Sequence, residues 1–145
     1  MQICPEAQDI TMADTIELEI VTPERLVVKD RAEDVQIPGR NGYLGILPGH
    51  APLITELAVG EISYTNAGAS THLSVAWGFA EVLPDKVTIL AETAELAEDI
   101  DVPRAEAARD RAQQRLKQAD EGPAYEEAAA ALARAEVRLA VSKKQ

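Results

Sequence analysis

At Ile100-Asp101-Val102-Pro103 the chain changes its hydrophobic period, and no other feature of the 145 residues constrains the fold as much. Before that point apolar and polar residues alternate. Ile16, Leu18 and Ile20 are separated by Glu17 and Glu19, the spacing of a half-buried strand over 15–21. Similar short segments follow at 26–29, 34–37, 61–65, 71–76, 78–83 and 86–91. Turn chemistry separates them at Thr22-Pro23, Pro38-Gly39, Asn41-Gly42, Asn66-Ala67-Gly68 and Pro84-Asp85. Many short strands with regular breaks predict an all-β sandwich or barrel.

After that point the residues are helix formers. Asp101 suits an N-cap, Pro103 suits a first helical turn, and 104–119 contains nothing that opposes a helix. Asp120-Glu121-Gly122-Pro123 stops it. A second helix over about 124–141 ends before Lys143 and Lys144, which suit the negative end of its dipole. A break this short predicts an antiparallel hairpin. The organisation expected is therefore a β-sandwich over 14–98 and a two-helix hairpin over 99–145. Residues 1–13 read as a disordered extension or a misassigned start: 1–11, before the second methionine Met12, have no periodicity, which leaves Cys4 without a role.

The facing stripes of the two helices are made largely of alanine. Ala105, Ala108, Ala112, Leu116 and Ala119 recur at three and four residues, as do Tyr125, Ala128, Leu132, Ala135 and Leu139. Each alanine in place of a leucine gives up roughly 2 kcal/mol of burial at ~0.8 kcal/mol per methylene. High intrinsic helicity with so thin a seam predicts an arm able to detach without unfolding.

Charge separates the same two parts. Residues 1–100 hold 5 basic and 17 acidic side chains, while 101–145 hold 9 and 8, so the parts suit different partners. A formal charge of −11 argues against non-specific nucleic-acid binding. No run approaches the ~20 apolar residues that span a bilayer, so direct membrane insertion is not expected. A single cysteine excludes an internal disulfide framework and a cysteine-based zinc site. No phosphate loop, dinucleotide fingerprint or nucleophile elbow is present. Neither His50 nor His72 has the spacing of a metal pair, and His72 reads as an ordinary surface histidine. Catalysis, a metal and a required cofactor are all unexpected.

Residues 42–60 obey no generic folding requirement. Gly42, Gly45, Gly49, Pro48 and Pro52 punctuate an apolar run, which predicts repeated turns with Leu44, Ile46, Leu47, Leu53 and Ile54 buried and His50 on a stiff protrusion. Gly-Tyr-Leu-Gly-Ile-Leu-Pro-Gly-His-Ala-Pro-Leu resembles the signature of the epsilon subunit of bacterial F-type ATP synthases. The resemblance continues through Ala76-Trp77-Gly78-Phe79-Ala80-Glu81-Val82 and Val87-Thr88-Ile89-Leu90-Ala91-Glu92-Thr93-Ala94, and covers the chain from Met12 onward.

The resemblance implies a noncatalytic central-stalk subunit of a proton-translocating enzyme. It would sit peripherally at the cytoplasmic face of the bacterial inner membrane and couple the catalytic head to the membrane ring. The implied partners are the gamma subunit, packed on one sandwich face, the ring of c subunits, and the catalytic alpha and beta subunits, reached by the arm. Arg40, Asn41, Tyr43 and His50 fall in the ring-contact region, with Tyr43 where the family often has an acidic residue. Ile100-Asp101-Val102-Pro103-Arg104-Ala105 fits the Ile-Asp-x-x-Arg-Ala pattern of nucleotide-binding members, and Glu95, Arg111, Arg134 and Arg138 match its companions. Arg104 and Arg111 are two turns apart and Arg134 and Arg138 one turn, so a closed hairpin can converge guanidinium groups on a triphosphate, with ATP as a regulatory ligand. An opened hairpin would instead bring Arg109, Arg115 and Lys117, together with Arg111, Arg134 and Arg138, to the acidic lever of the beta subunits. The alternative from another class is a free-standing nucleotide-sensing binding module.

Overall fold

The computed structural model describes residues 14–145; the expectation for 1–13, with Cys4, lies outside them. Eight strands come first: β1 Ile16–Val21, β2 Leu26–Ala32, β3 Asp34–Gly39, β4 Gly42–Ile46, β5 Leu53–Leu57, β6 Gly60–Asn66, β7 Ala69–Val82 and β8 Lys86–Leu96. A 3₁₀ turn, Ala97–Asp99, leads into α1 Val102–Gln118 and α2 Pro123–Ser142. The sandwich and the hairpin are both as the periodicity predicts.

Hydrogen bonding runs in the order β2-β1-β8-β7-β5-β3-β4, with β6 pairing both β3 and β7. All pairs are antiparallel except β1 with β8. The two segments expected at 71–76 and 78–83 are one strand. β7 pairs β6 over its first half and β5 over its second, and changes partner at Trp77-Gly78. Gly78 has φ 130°, and a β-carbon there would lie 2.0 Å from the Leu90 carbonyl oxygen, so β7 and β8 stay paired through the change only because the residue is glycine.

The expectation of a turning protrusion over 42–60 needs correction. It contains two strands, β4 and β5, joined by a turn at 47–50. Ile46 is fully buried and Leu44 and Leu53 are partly so, but Leu47 and Ile54 are 62% and 72% exposed. In a strand alternate side chains take opposite faces, so Ile54 cannot follow Leu53 and Leu57 inward.

The inner faces meet in one core of Ile16, Leu18, Ile20, Ile37, Ile62 and Ile89 with their neighbours. The arm has a separate small cluster, in which Val141 and Val137 of α2 pack on Ala97 and Ile100 at the sandwich exit. Within the hairpin Ala105, Ala112, Ala128 and Ala135 are buried, as the stripes predict. Tyr125 is the exception at 43% exposed, because it lies in the first turn of α2, at the open tip of the seam.

Candidate functional site

Asp101 caps α1 as expected. Its carboxylate accepts the backbone N–H of Arg104 at 3.2 Å, and Pro103 occupies the first turn. This start, with the period of 3.6, turns Arg104, Ala108, Arg111 and Arg115 toward the sheet beside Ala131, Arg134 and Arg138 of α2. The floor comes from the far end of β8, at Glu92 and Glu95, and from Ser74 and Ala76 of β7. The resulting cleft has a volume of about 720 Å³, within the usual range of small-molecule sites.

Five of the seven residues in the nucleotide pattern line this cleft: Glu95, Arg104, Arg111, Arg134 and Arg138. Asp101 and Ala105 do not. Asp101 is used by the helix start, and Ala105 is fully buried.

The guanidinium groups differ in their partners. Arg138 is paired with Glu95, its Nε 2.7 Å from Oε1 and its Nη2 donating to Oε2 at 3.3 Å. The Nε–H is not aimed along a hydrogen bond, so this is an ion pair with one well-directed bond rather than a symmetrical fork. Arg134 lies over the Trp77 ring, 5.0 Å from its centroid. Arg104, Arg111 and Arg134 form no ion pair among the described residues. Six arginines, Arg25, Arg104, Arg111, Arg115, Arg134 and Arg138, line the cleft against three carboxylates, Glu24, Glu92 and Glu95, and this cationic surplus is chemically suited to a polyanion.

The residues assigned to the beta-subunit contact lie elsewhere on the hairpin or at the cleft's edge. Arg109 is paired with Asp110 at 3.1 Å, Arg115 reaches Glu127 across the hairpin at 3.7 Å, and Lys117 is exposed in the last turn of α1.

The four ring-loop residues divide between the two ends of β4, which separates them by roughly 14 Å at 3.4 Å per residue. Arg40 and Asn41 form the turn before β4, and Arg40 pairs with Glu56 at 2.6 Å, which raises its pKa further above the ordinary arginine value. Tyr43 does not project freely. Its hydroxyl accepts the backbone N–H of Glu61 at 2.9 Å, an approach that Gly60 permits because a β-carbon there would crowd the phenol oxygen and Pro38. His50 follows β4, donating from Nδ1 to the Ala51 carbonyl at 2.7 Å, while Gly49 N–H ties its turn to the Pro84 carbonyl at 2.8 Å.

A contact that sequence reasoning missed holds the end of the arm. Glu61 on β6 accepts from Lys144 at 2.8 Å and pairs with His72 on β7 at 2.7 Å. His72 is thus half-buried and engaged, not an ordinary surface histidine, because its cross-strand neighbours lie beneath the end of α2. Burial pushes the Glu61 carboxyl up, but the hydrogen bonds and charges of Lys144 and His72 outweigh it and hold the group below the ordinary glutamate value. Glu92 was also missed as a lining residue, and Trp77, which lines the neighbouring apolar groove, as the partner of Arg134. No local pattern marks them; only the pairing of β7 with β8 brings them beside the arm.

No group of three or more potential metal ligands occurs among the described residues, and no helix there is long and apolar enough to cross a membrane.

The family model for the ATP synthase delta/epsilon chain beta-sandwich domain matches residues 15–97, and that for the delta/epsilon chain long alpha-helix domain matches 98–143. The ATP synthase epsilon chain of Koribacter versatilis (strain Ellin345) is 73% identical over 106 residues, which is 73% of this chain and 75% of that one. That of Solibacter usitatus (strain Ellin6076) is 48% identical over 134 residues, 92% of this chain and 100% of the relative. Among solved structures, a chain of the Euglena gracilis mitochondrial ATP synthase, in a cryo-EM structure of OSCP/F1/c-ring, shares the fold with a TM-score of 0.77. The likeness spans 88% of this chain and 81% of that one at 23% identity. A chain of the Tetrahymena thermophila mitochondrial ATP synthase central stalk and c-ring is more distant, with a TM-score of 0.55 at 14% identity, over 89% and 94% of the two chains. With both domains matched and a relative 48% identical aligned along its whole length, the chain belongs to the ATP synthase epsilon-chain family, as a noncatalytic subunit.

Proposed function

We propose that this subunit works in the central stalk of a proton-translocating ATP synthase, anchored by its sandwich and regulating ATP hydrolysis through a hinged arm that senses ATP. The observation that carries the regulatory part is the cleft, in which five residues of the nucleotide pattern converge around a volume of about 720 Å³. In this reading a triphosphate takes the guanidinium groups of Arg104, Arg111, Arg134 and Arg138, and displaces Glu95 from Arg138. The ligand joins α1, α2 and β8, so it favours the closed arm. At 100 times its Kd it stabilises that state by about 2.7 kcal/mol, close to a 100-fold shift in population. Without it the thin alanine seam lets the helices leave, and Arg109, Arg115 and Lys117 become available to acidic surfaces of the catalytic alpha and beta subunits.

The sandwich supplies the anchoring. Ile54, Phe79 and Leu90 share one outer face and are 72%, 53% and 56% exposed, beside an apolar groove of about 860 Å³. A monomer gains nothing from such a patch, and it suits a large apolar partner, which we assign as gamma. The turns at Arg40-Asn41 and Leu47–His50, with Tyr43, are assigned to the ring of c subunits. On that assignment the protein sits peripherally at the cytoplasmic face of the membrane. The free-standing sensor reading has no observation of its own to favour it, since both domains match the family.

Titrating the isolated chain with ATP tests the nucleotide site. The wild type should become more compact in small-angle scattering as ATP is added, and Arg104→Ala with Arg138→Ala should abolish the change. An unaltered titration curve in the double variant removes the site. Deleting the chain after Asp99 in the assembled enzyme should leave assembly intact and raise ATP hydrolysis; unchanged hydrolysis would count against an inhibitory arm.

A further inference from the structure

We propose that Trp77 is a docking post for the helical hairpin, its indole holding the Arg134 guanidinium and with it the closed arrangement of the arm. The inference rests on the mobile-arm reading above.

Trp77 stands where β7 exchanges partners, after Val75 pairs β6 and before Gly78 pairs β5. Its φ is 52°, and Gly78 follows at 130°. A bulky aromatic residue in the left-handed region is a conformational outlier, whereas glycine adopts the region freely. The backbone therefore has no need of an indole here. Nor does the core, since the side chain is 39% exposed and lies outside the buried cluster. Strain of this kind persists where a side chain has something to hold.

What the indole meets is the arm. The Arg134 guanidinium carbon lies 5.0 Å from the ring centroid, inside the range for a cation–π contact. One turn further along α2, Arg138 is held by Glu95 of β8, and at the helix end Lys144 is held by Glu61 of β6. The underside of α2 and the residues just after it thus meet the sheet through three cations in succession, each held by a different strand. Of these, only the contact at Arg134 uses a π-face instead of a carboxylate. Arg134 also lines the cleft, so a bound polyanion and the indole engage the same group from two sides.

Hydrogen exchange of the isolated full chain tests this, with wild type, Trp77→Gly and Arg134→Met compared and thermal unfolding followed in parallel. Both substitutions should speed exchange of the α2 amides about 2- to 30-fold, the range of a cation–π contact. Trp77→Gly should nonetheless melt no lower than wild type, because glycine relaxes the backbone as the contact is lost. In Arg134→Met, acrylamide should quench Trp77, the sole tryptophan, more strongly than in wild type. Unchanged α2 exchange in both variants overturns the proposal. So does acceleration in Trp77→Gly alone, which would mean that the indole merely packs. If wild-type α2 amides exchange only by global unfolding, the mobile-arm reading itself fails; if they open sub-globally but ignore both substitutions, only the docking post does.

Discussion

The sandwich and the helical arm bury their interiors with different residues, and the difference separates a body that holds its shape from an element that can leave. In the sandwich the fully buried side chains are isoleucine, leucine and valine, drawn from strands far apart in sequence. In the hairpin they are Ala105, Ala112, Ala128 and Ala135, and only Val141 at the far end is larger. Removing a leucine-sized group from water yields roughly 2 kcal/mol more than removing a methyl, so each layer of the sandwich is worth several layers of the seam. What keeps the arm in place is a short row of polar contacts, Arg134 on Trp77, Arg138 on Glu95 and Lys144 on Glu61, beside one small apolar cluster. Contacts of that kind are exchangeable for others of equal worth, whereas a core is not.

The contrast breaks or sharpens at three positions. The largest effect is expected at Ile89, fully buried on β8 opposite Ile20 and Ala80. Ile89→Ala should cost the sandwich about 2–5 kcal/mol in denaturant unfolding while leaving sub-global opening of the arm, read by hydrogen exchange, at its wild-type rate. If both fall by the same amount, the molecule is one cooperative unit and the contrast is false.

An intermediate effect is expected at Ala128, fully buried in the seam but away from the cleft lining. Ala128→Leu keeps helix propensity and overfills the gap, so the hairpin should loosen by about 1–3 kcal/mol. The helical part of a melting curve should move and the sandwich transition should not. A hairpin that accepts leucine without loss would show that the seam has slack rather than close packing.

The smallest effect is expected at Glu61. Its folded-state pKa is depressed, so its contribution is present above the unfolded value and is lost as pH falls through the folded one. Glu61→Gln should therefore weaken arm protection at pH 7 by about 1 kcal/mol, with the difference from wild type shrinking as pH falls below about 4. A difference that persists undiminished at pH 3 would show that Lys144 and His72 hold the position by shape rather than by charge.

Some features were legible because they are local. The alternation over 15–21, the cap at Asp101 and, but for Tyr125, the alanine stripes each follow from neighbours within a few residues, and the structure places them as read; the break expected at 120–123 lies at 119–122, because Pro123 opens α2. β4 and β5 were not legible. Gly42, Gly45, Pro48 and Pro52 weaken every local strand signal, and these short strands exist because β3 and β7 offer them ladders. The arginines of the cleft were legible as a pattern, and their partners were not. Glu95 was named for a ligand, yet in the closed structure it neutralises Arg138.

By itself the sequence determined the two-part division, the helix boundaries and the set of cationic side chains on the arm, since period, capping chemistry and residue type act over one or two turns of chain. Only the tertiary structure decided which of those cations meets a carboxylate, an indole or open space, that Leu47 and Ile54 stay outside, and that Trp77 takes a left-handed backbone. Each of these depends on strands that are remote in sequence and adjacent only after the sheet has closed, and pairing over such distances leaves no mark in any short window of residues.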